Sequence, residues 1–327
     1  LNNHQRALAW GLNYLGSLFM LRFLVYRLLQ SAAVIVTVLV ITFVLLKLAP
    51  GSPYAKERNL PEHLRVELER QMGLDQPLHV QLGKHLWNQL SFQDQPSLKF
   101  KGITVNRIIA QGAPISAMIG LLALAIALAL GIPAGAYSAL RPHSLEDVGA
   151  STAATLGICA PTLVLGPFLA WIFGLKLRWF NTSGWHDADD WVLPALTLGI
   201  IYAAYVMRIT RAGLKESLGQ DFMRTARAKG VSEWGLITRH AAKVACLPLL
   251  NFLGPAAAGL LAGSFVVETV FQIPGLGQHF INSANNKDMT LATTCAGLYA
   301  FLICGFNLLV DCLQVLLNPR LSFEDRV

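Results

Sequence analysis

Charge is scarce in this sequence. Of its 327 residues, only 14% are Asp, Glu, Lys or Arg while 54% are hydrophobic, and the mean hydropathy is +0.48. That balance lies outside soluble globular domains and predicts a polytopic membrane protein. Cysteine is also sparse: Cys159, Cys246, Cys295, Cys304 and Cys312 all lie in or beside apolar runs, with no C-x-x-C pair and no histidine at zinc-ligand spacing. They read as packing residues, not as metal ligands. Cys304 and Cys312 can share a helix face, but one helix cannot bridge that separation with a disulfide. Catalytic signatures are missing as well. There is no G-x-x-x-x-G-K-[ST], no H-E-x-x-H and no G-x-S-x-G, so ATP binding through a P-loop, a zinc-protease helix and a nucleophile elbow are excluded. "PGLGQ" at Pro274 to Gln278 lacks the strand-turn-helix setting of a dinucleotide site and reads as a turn. Residues 1–19 are interrupted by Gly11 and Asn13 and carry no small-residue cleavage pattern, which argues against a removable signal peptide. They are expected to be either a loosely ordered extension or an addition to a native chain beginning at Met20.

Six apolar stretches are long enough to cross a bilayer, which takes about 20 residues each. They run from Leu28 to Leu48, from about Ile115 to Leu140, Val148 to Leu175, Trp191 to Met207, Cys246 to Val267, and Leu291 to Leu317. The expected fold class is therefore all-α, a six-span membrane protein. Residues 20–50 form the first span, 51–114 an extracytoplasmic loop or cap, 115–321 a five-helix core and 322–327 a cytoplasmic tail. Orientation follows the basic residues. Arg6, Arg22 and Arg27 precede the first span without an acid, and Arg208, Arg211, Lys215, Arg224, Arg227, Lys229, Arg239 and Lys243 outnumber Glu216, Asp221 and Glu233 between spans four and five. Both segments belong inside, so both termini are expected to be cytoplasmic. The cap shows helical spacing at Leu64, Leu68 and Met72, and again at Leu78, Leu82 and Leu86.

Gly131 and Gly135 around Pro133, and Gly259 with Gly263, have the spacing of close helix contacts. Ionisable residues within the spans are few: Glu268 stands at an outer end and Asp311 near an inner one. An ion-coupled carrier typically has more. Asn307 and Asp311 share a helix face, and Asp311 is expected to pair with an inner-loop Arg or Lys. Thr152, Thr155, Thr162, Asn251 and Ser264 are candidate polar lining of a pathway, although such residues also satisfy backbone groups in spans. Asn251, Ser264, Asn307 and Asp311 thus stand as pathway or packing residues.

With no power source among the spans, the inner segment 208–245 carries the argument. It contains no proline, and Leu214, Leu218, Phe222 and Ala226 recur every four residues as one apolar stripe. Gly230 suits a helix end, and Ser232 caps a second helix with a stripe at Trp234, Ile237 or Thr238, Ala241 and Ala245. A basic helical hairpin can rest on anionic lipid. Nucleic acid is disfavoured by the membrane anchors on both sides. A docking knob for a soluble protein best explains the small-residue turn "ARAKG", because Ala and Gly allow close backbone approach while Arg and Lys orient against acids.

"RTARAKG" followed by "RHAAKVACLP" resembles the inner-loop signature of binding-protein-dependent ABC importer permeases, Glu-Ala-Ala, three residues, Gly, in the form seen in the peptide branch. "LAPGSPYAKERNLP", "RITRAGLKESLGQDFMRTARAKG" and "GSFVVETVFQIPGLGQHFINSANNKD" match that branch too, and the likeness covers roughly Met20 to Leu321. It implies the type I permease architecture in a bacterial inner membrane. It also implies an oligopeptide importer subunit that pairs with a homologous second permease, two cytoplasmic ATPases and an extracytoplasmic peptide-binding protein. ATP would be used by the partners, with no cofactor and no enzymatic site on this chain. Arg224, Thr225, Ala226, Arg227, Ala228, Lys229 and Gly230 would form the ATPase-docking loop. Permeases for dipeptides, nickel, glutathione or antimicrobial peptides share this architecture, and an ion-coupled carrier or a membrane hydrolase are the rival classes.

Overall fold

The computed structural model describes residues 3–49, 70, 75–91, 93–99 and 102–317, without side-chain detail at 3–21 and 315–317. Its elements in chain order are α1 (Asn3–Leu48), α2 (Leu78–Leu90), α3 (Val105–Leu140), α4 (Leu145–Cys159), α5 (Thr162–Leu169), α6 (Val192–Leu218), α7 (Asp221–Ala228), α8 (Ala242–Leu261), α9 (Phe265–Val270), α10 (Leu276–Asn285) and α11 (Met289–Leu317). Among the described residues, extended pairing is limited to one bridge between Pro96 and Thr104.

Five stretches are long and apolar enough to cross a membrane: Arg22–Leu48, Val105–Leu140, Ala188–Leu218, Glu233–Val270 and Met289–Gln314. The remaining expected span is broken. Leu145–Cys159 and Thr162–Lys176 meet at 107°, so the continuous helix read from Val148 to Leu175 is corrected to a bent pair. Pro161 is the reason. It has no N–H to continue the ladder, and it forces Ala160 out of helical backbone to ψ 118. By contrast α3 runs through both Pro114 and Pro133 without interruption.

One face of α3 is a stripe of small residues. Gly112, Ser116, Gly120, Ala123, Ala127, Gly131, Gly135 and Ser138 are all buried. Without a hydrophobic drive between helices in lipid, such residues let backbones approach closely enough for dispersion contacts. A Cβ on Gly131 would lie 2.7 Å from the Ala203 carbonyl of α6, and one on Gly135 would lie 2.8 Å from Thr210 Cβ. The second candidate pair behaves differently. Gly259 has no crowded neighbour, and Gly263 sits past the end of α8 at φ +98. There it permits a left-handed break and also a close approach, since a Cβ would lie 2.7 Å from Ser116 Oγ of α3 and 3.0 Å from the Gly277 N of α10.

The main core gathers Ile119, Ala123, Leu169, Leu193, Leu198, Leu260, Val267, Phe271 and Ile273 from α3, α5, α6, α8 and the α9 region. Against it, α1 is peripheral. Leu39 and Phe43 are buried while Leu28, Leu29, Ile41, Leu45 and Leu48 stay exposed, as lipid contact requires. Arg27 of α1 pairs with Asp311 of α11 at 2.8 Å. The expected partner of Asp311 is corrected from an inner-loop cation to this residue of the first span.

Leu64, Leu68 and Met72 of the predicted cap stripe lie outside the described residues. In α2, Leu82 and Leu86 are half-buried and Leu78 is exposed. The buried residue there is His85, whose ring lies 5.4 Å from Phe43. Lys47 Nζ donates to Gln81 Oε1 at 3.0 Å. Ser97 donates to Asp288, which also caps α11 by accepting from the Leu291 N–H at 3.1 Å. These bonds moor α2 and the stretch around Ser97 to the C-terminal end of α1 and the N-terminal end of α11.

Candidate functional site

The basic hairpin is built from the register outward. α6 stops at Leu218, and Gly219 and Gln220 separate it from α7. That break resets the four-residue stripe read through Phe222. Met223 turns inward instead, 1% exposed, and Phe222 is left 41% exposed. The second limb is shifted likewise. Leu236–Ala241 is wound as a wider π-turn, which inserts one residue per turn, so Leu236, Ala241 and Ala245 are buried and Trp234 is 74% exposed. Met223, Leu214, Leu236, Ala241 and Ala245 pack with Ala139 of α3 in one cluster, and Ser217 Oγ donates to the Ala241 carbonyl at 3.1 Å. The hairpin root is therefore fixed to α3 and α6, while its tip projects.

At the tip, α7 closes in a Schellman turn. Gly230 N–H donates to the Arg227 carbonyl at 3.0 Å and Val231 N–H to the Ala226 carbonyl at 3.3 Å. Gly230 sits at φ +77 with open space where a Cβ would go. As expected of a helix end, the turn needs the left-handed backbone of this glycine, whatever approaches from outside. Ser232 then caps the next limb by accepting from the Gly235 N–H at 3.3 Å. Arg227 spans the turn, with Nε and Nη2 donating to Glu233 at 2.9 and 3.2 Å. The Glu233 carboxylate, as hydrogen-bond acceptor and as charge, holds the guanidinium above its ordinary pKa. Arg224, Thr225, Ala228, Lys229 and Gly230 are exposed and Ala226 is half-buried. The seven residues thus form one surface, with Arg227 bracing it. Phe222 and Trp234 extend that surface, and the uninterrupted stripe concealed them.

A second feature is a cleft of about 900 Å³ beside α6, α8 and α11. Its wall includes Tyr202, Tyr205, Phe252 and Tyr299 together with Asn251, Ser264 and Thr162. The cleft is lined without a single charged side chain. Asn251 Oδ1 accepts from Gln314 Nε2 at 2.6 Å, which orients it. Of the other residues proposed for the pathway, Thr152 and Thr155 line a separate cavity of about 290 Å³ near Arg211. Asn307 packs on Gly254 of α8, with its Oδ1 3.0 Å from where a Cβ would lie. Asp311 is engaged by Arg27. The structure therefore gathers Asn251, Ser264 and Thr162 and leaves Asn307 and Asp311 elsewhere. The aromatic wall went unnoticed in the sequence, although Tyr202, Tyr205, Phe252 and Tyr299 stand inside predicted spans.

In α9, Glu268 is 2% exposed. Its carboxylate accepts from Ser116 Oγ at 2.7 Å and from the Gln278 N–H at 2.8 Å. Gly275 passes so close that a Cβ would meet the carboxylate oxygens at 2.6 Å. "PGLGQ", expected as a turn, is instead the entry to α10, with Gly275 at the N-cap and Leu276 to Gln278 already helical, and it is folded against a buried acid. Among the described residues, no group of three or more His, Cys, Asp or Glu is placed to hold a metal ion.

Comparison with known proteins adds the following. A family model for the binding-protein-dependent transport system inner membrane component matches residues 131–323, and the model of its N-terminal region matches residues 20–98. The chain is 37% identical over 306 residues to the oligopeptide transport system permease protein OppB of Haemophilus influenzae, covering 93% of this chain and 100% of that protein. It is 36% identical over 307 residues to OppB of Escherichia coli, with 93% and 100% covered. The dipeptide transport system permease protein DppB of Bacillus subtilis is 35% identical over 307 residues, with 94% and 100% covered. A solved amino acid ABC transporter with histidines aligns at 20% identity and a TM-score of 0.48, covering 64% of this chain and 94% of that one.

Proposed function

The chain belongs to the binding-protein-dependent transport system inner membrane component family, and from that premise we propose that it forms half of the translocation pathway of an ATP-driven oligopeptide importer. The observation that carries the reading is the rooted hairpin with a bare tip. Its base is packed into the spans through Met223 and Leu236, whereas Arg224, Lys229, Phe222 and Trp234 face outward at its end. A load applied at such a tip is delivered to α6. The partners are a homologous second permease, two cytoplasmic ATPases that grip the tip, and an extracytoplasmic binding protein that delivers the peptide to the outer face. Both termini lie in the cytoplasm, as the basic flank of α1 and the basic hairpin favour. ATP is bound and hydrolysed by the partners.

Mechanistically, the spans have two arrangements, and nucleotide binding by the ATPases shifts the balance between them. The cleft beside α8 would face the second permease and close into a channel. Its wall suits a varied cargo: phenol hydroxyls, one amide and one serine hydrogen-bond a peptide backbone, and the missing charges leave no side chain strongly favoured or repelled. A dipeptide importer is the second reading, favoured by the 35% identity to DppB, which is nearly that to OppB.

Reconstituted vesicles test the reading. Uptake of labelled trialanine should require ATP, the ATPase subunits and the binding protein. Uptake by this chain alone, driven by an ion gradient, would refute it. Competition between trialanine and longer peptides separates the oligopeptide from the dipeptide reading.

A further inference from the structure

Where α3 gives way to α4, one carboxylate gathers donors from three elements. The turn holds His143 at φ 68, a left-handed backbone that non-glycine residues seldom adopt. Its N–H donates to Asp147 Oδ2 at 2.9 Å. Ser144 caps α4 by accepting from the Asp147 N–H at 3.1 Å, and Ser138 of α3 donates its hydroxyl to Asp147 Oδ1. Arg211 of α6 completes the set, with Nε 2.6 Å from Oδ1 and Nη2 2.7 Å from Oδ2. Asp147 itself is 2% exposed.

The packing around this pair is apolar. Between α4 and α6, Ala154, Ala204 and Met207 pack together with Ala150 and Ile158 against them, and Gly157 lies beside Ala204. Such contacts are non-directional and do not by themselves set an angle. A two-pronged guanidinium-carboxylate contact fixes both distance and angle. Arg211 lies seven residues before the end of α6, two turns from the hairpin on an unbroken helix. Beyond α4, the chain bends at Pro161 and reaches Thr162 in the cleft wall. The pair therefore joins the helix that receives the hairpin's load to the segment that carries part of the pathway.

Resting on the reading of the hairpin as the ATPase-docking element, we propose that Asp147 and Arg211 are positioning residues that carry the hairpin's displacement from α6 into α4 and so to the cleft wall. Neither touches cargo or nucleotide. Removing the pair should uncouple the importer, not dismantle it.

The test uses the complete importer in proteoliposomes. With Asp147→Asn, the ATPase subunits should co-purify as with the unaltered chain and ATP hydrolysis should continue, while uptake of labelled trialanine falls by about tenfold, the scale on which residues between two sites modulate coupling. The double variant Asp147→Asn with Arg211→Gln leaves no uncompensated charge buried and should show the same split. Uptake within about twofold of the unaltered importer in the double variant would overturn the proposal, because that is less than the weakest coupling loss expected. So would loss of the ATPase subunits together with uptake, since the pair would then serve docking. Failure of the underlying reading is visible separately: the unaltered chain would itself retain no ATPase.

Discussion

Replacing Gly230 with alanine separates backbone conformation from side-chain contact at the proposed docking tip. The residue sits at φ +77, and nothing lies within 4 Å of an added Cβ, so alanine meets no clash. What it does meet is the left-handed penalty of an L-residue, about 1–2 kcal/mol. In the free permease the last turn of α7 relaxes that strain by unwinding, at the expense of the two bonds to the Arg227 and Ala226 carbonyls. A partner that grips the turn in its native shape forbids the relaxation. The strain then appears as weaker binding, by about 5- to 30-fold at roughly 1.4 kcal/mol per decade. Asparagine tolerates the left-handed region better than alanine, so affinity should fall in the order Gly, Asn, Ala. The assay is titration of purified ATPase subunits onto the permease in nanodiscs, with thermal unfolding of the spans as a control for insertion. Equal affinity for all three, or alanine binding better than asparagine, would show that the partner does not hold this turn.

Three further outcomes follow from the packing. Gly131→Leu drives a side chain into the Ala203 carbonyl and Val206, and overpacking of this kind costs about 1–3 kcal/mol. The detergent-solubilised variant should unfold at a lower temperature, whereas Gly149→Leu, where nothing lies within 4 Å, should not. Gly259→Leu extends into the cleft between the Tyr202 and Tyr299 hydroxyls, so uptake should fall more steeply for longer peptides than for dipeptides with the ATPases still docked. Burial against Phe43 lowers the pKa of His85 to about 4 from an ordinary value near 6.5. The folded state thus favours the neutral ring, and this preference stabilises fully above pH 6.5 and is lost as pH falls toward 4. Hydrogen exchange in α2, corrected for intrinsic rates, should rise across that interval, and His85→Phe should abolish the rise.

Much of the architecture was legible in the sequence because lipid imposes a length rule, and four of the six expected spans coincide with continuous apolar helices, while the one from Cys246 to Val267 is interrupted at Gly263 between α8 and α9. The span read from Val148 to Leu175 shows where a composition window misleads. It averages over Pro161, a residue that acts on backbone and not on hydropathy. The hairpin was legible as two helices around Gly230, but its register was not. A stripe counted every four residues assumes an unbroken α-helix, and here Gly219 interrupts one limb and a π-turn winds the other wide, which sends Phe222 and Trp234 outward. The Asp147–Arg211 pair spans 64 positions, and periodicity within either helix says nothing about which partner faces it. The aromatic wall of the cleft was hidden for a related reason: Tyr202 and Tyr299 sit in different spans and meet only when those spans pack.

The small-residue face of α3 has a geometric consequence. From Gly112 to Ser138 it advances by steps of four, four, three, four, four, four and three residues. At 100° per residue the seam does not return to its starting bearing but precesses by about 80° over its length, with right-handed sense. A helix bearing such a spiral offers its contact line to different neighbours in succession: the chain at Gly275 and Leu276 beside Gly112, then Leu260 beside Gly120, then Ala203 and Met207 beside Gly131 and Gly135. One uninterrupted helix can thereby serve as the axle around which the other elements are arrayed.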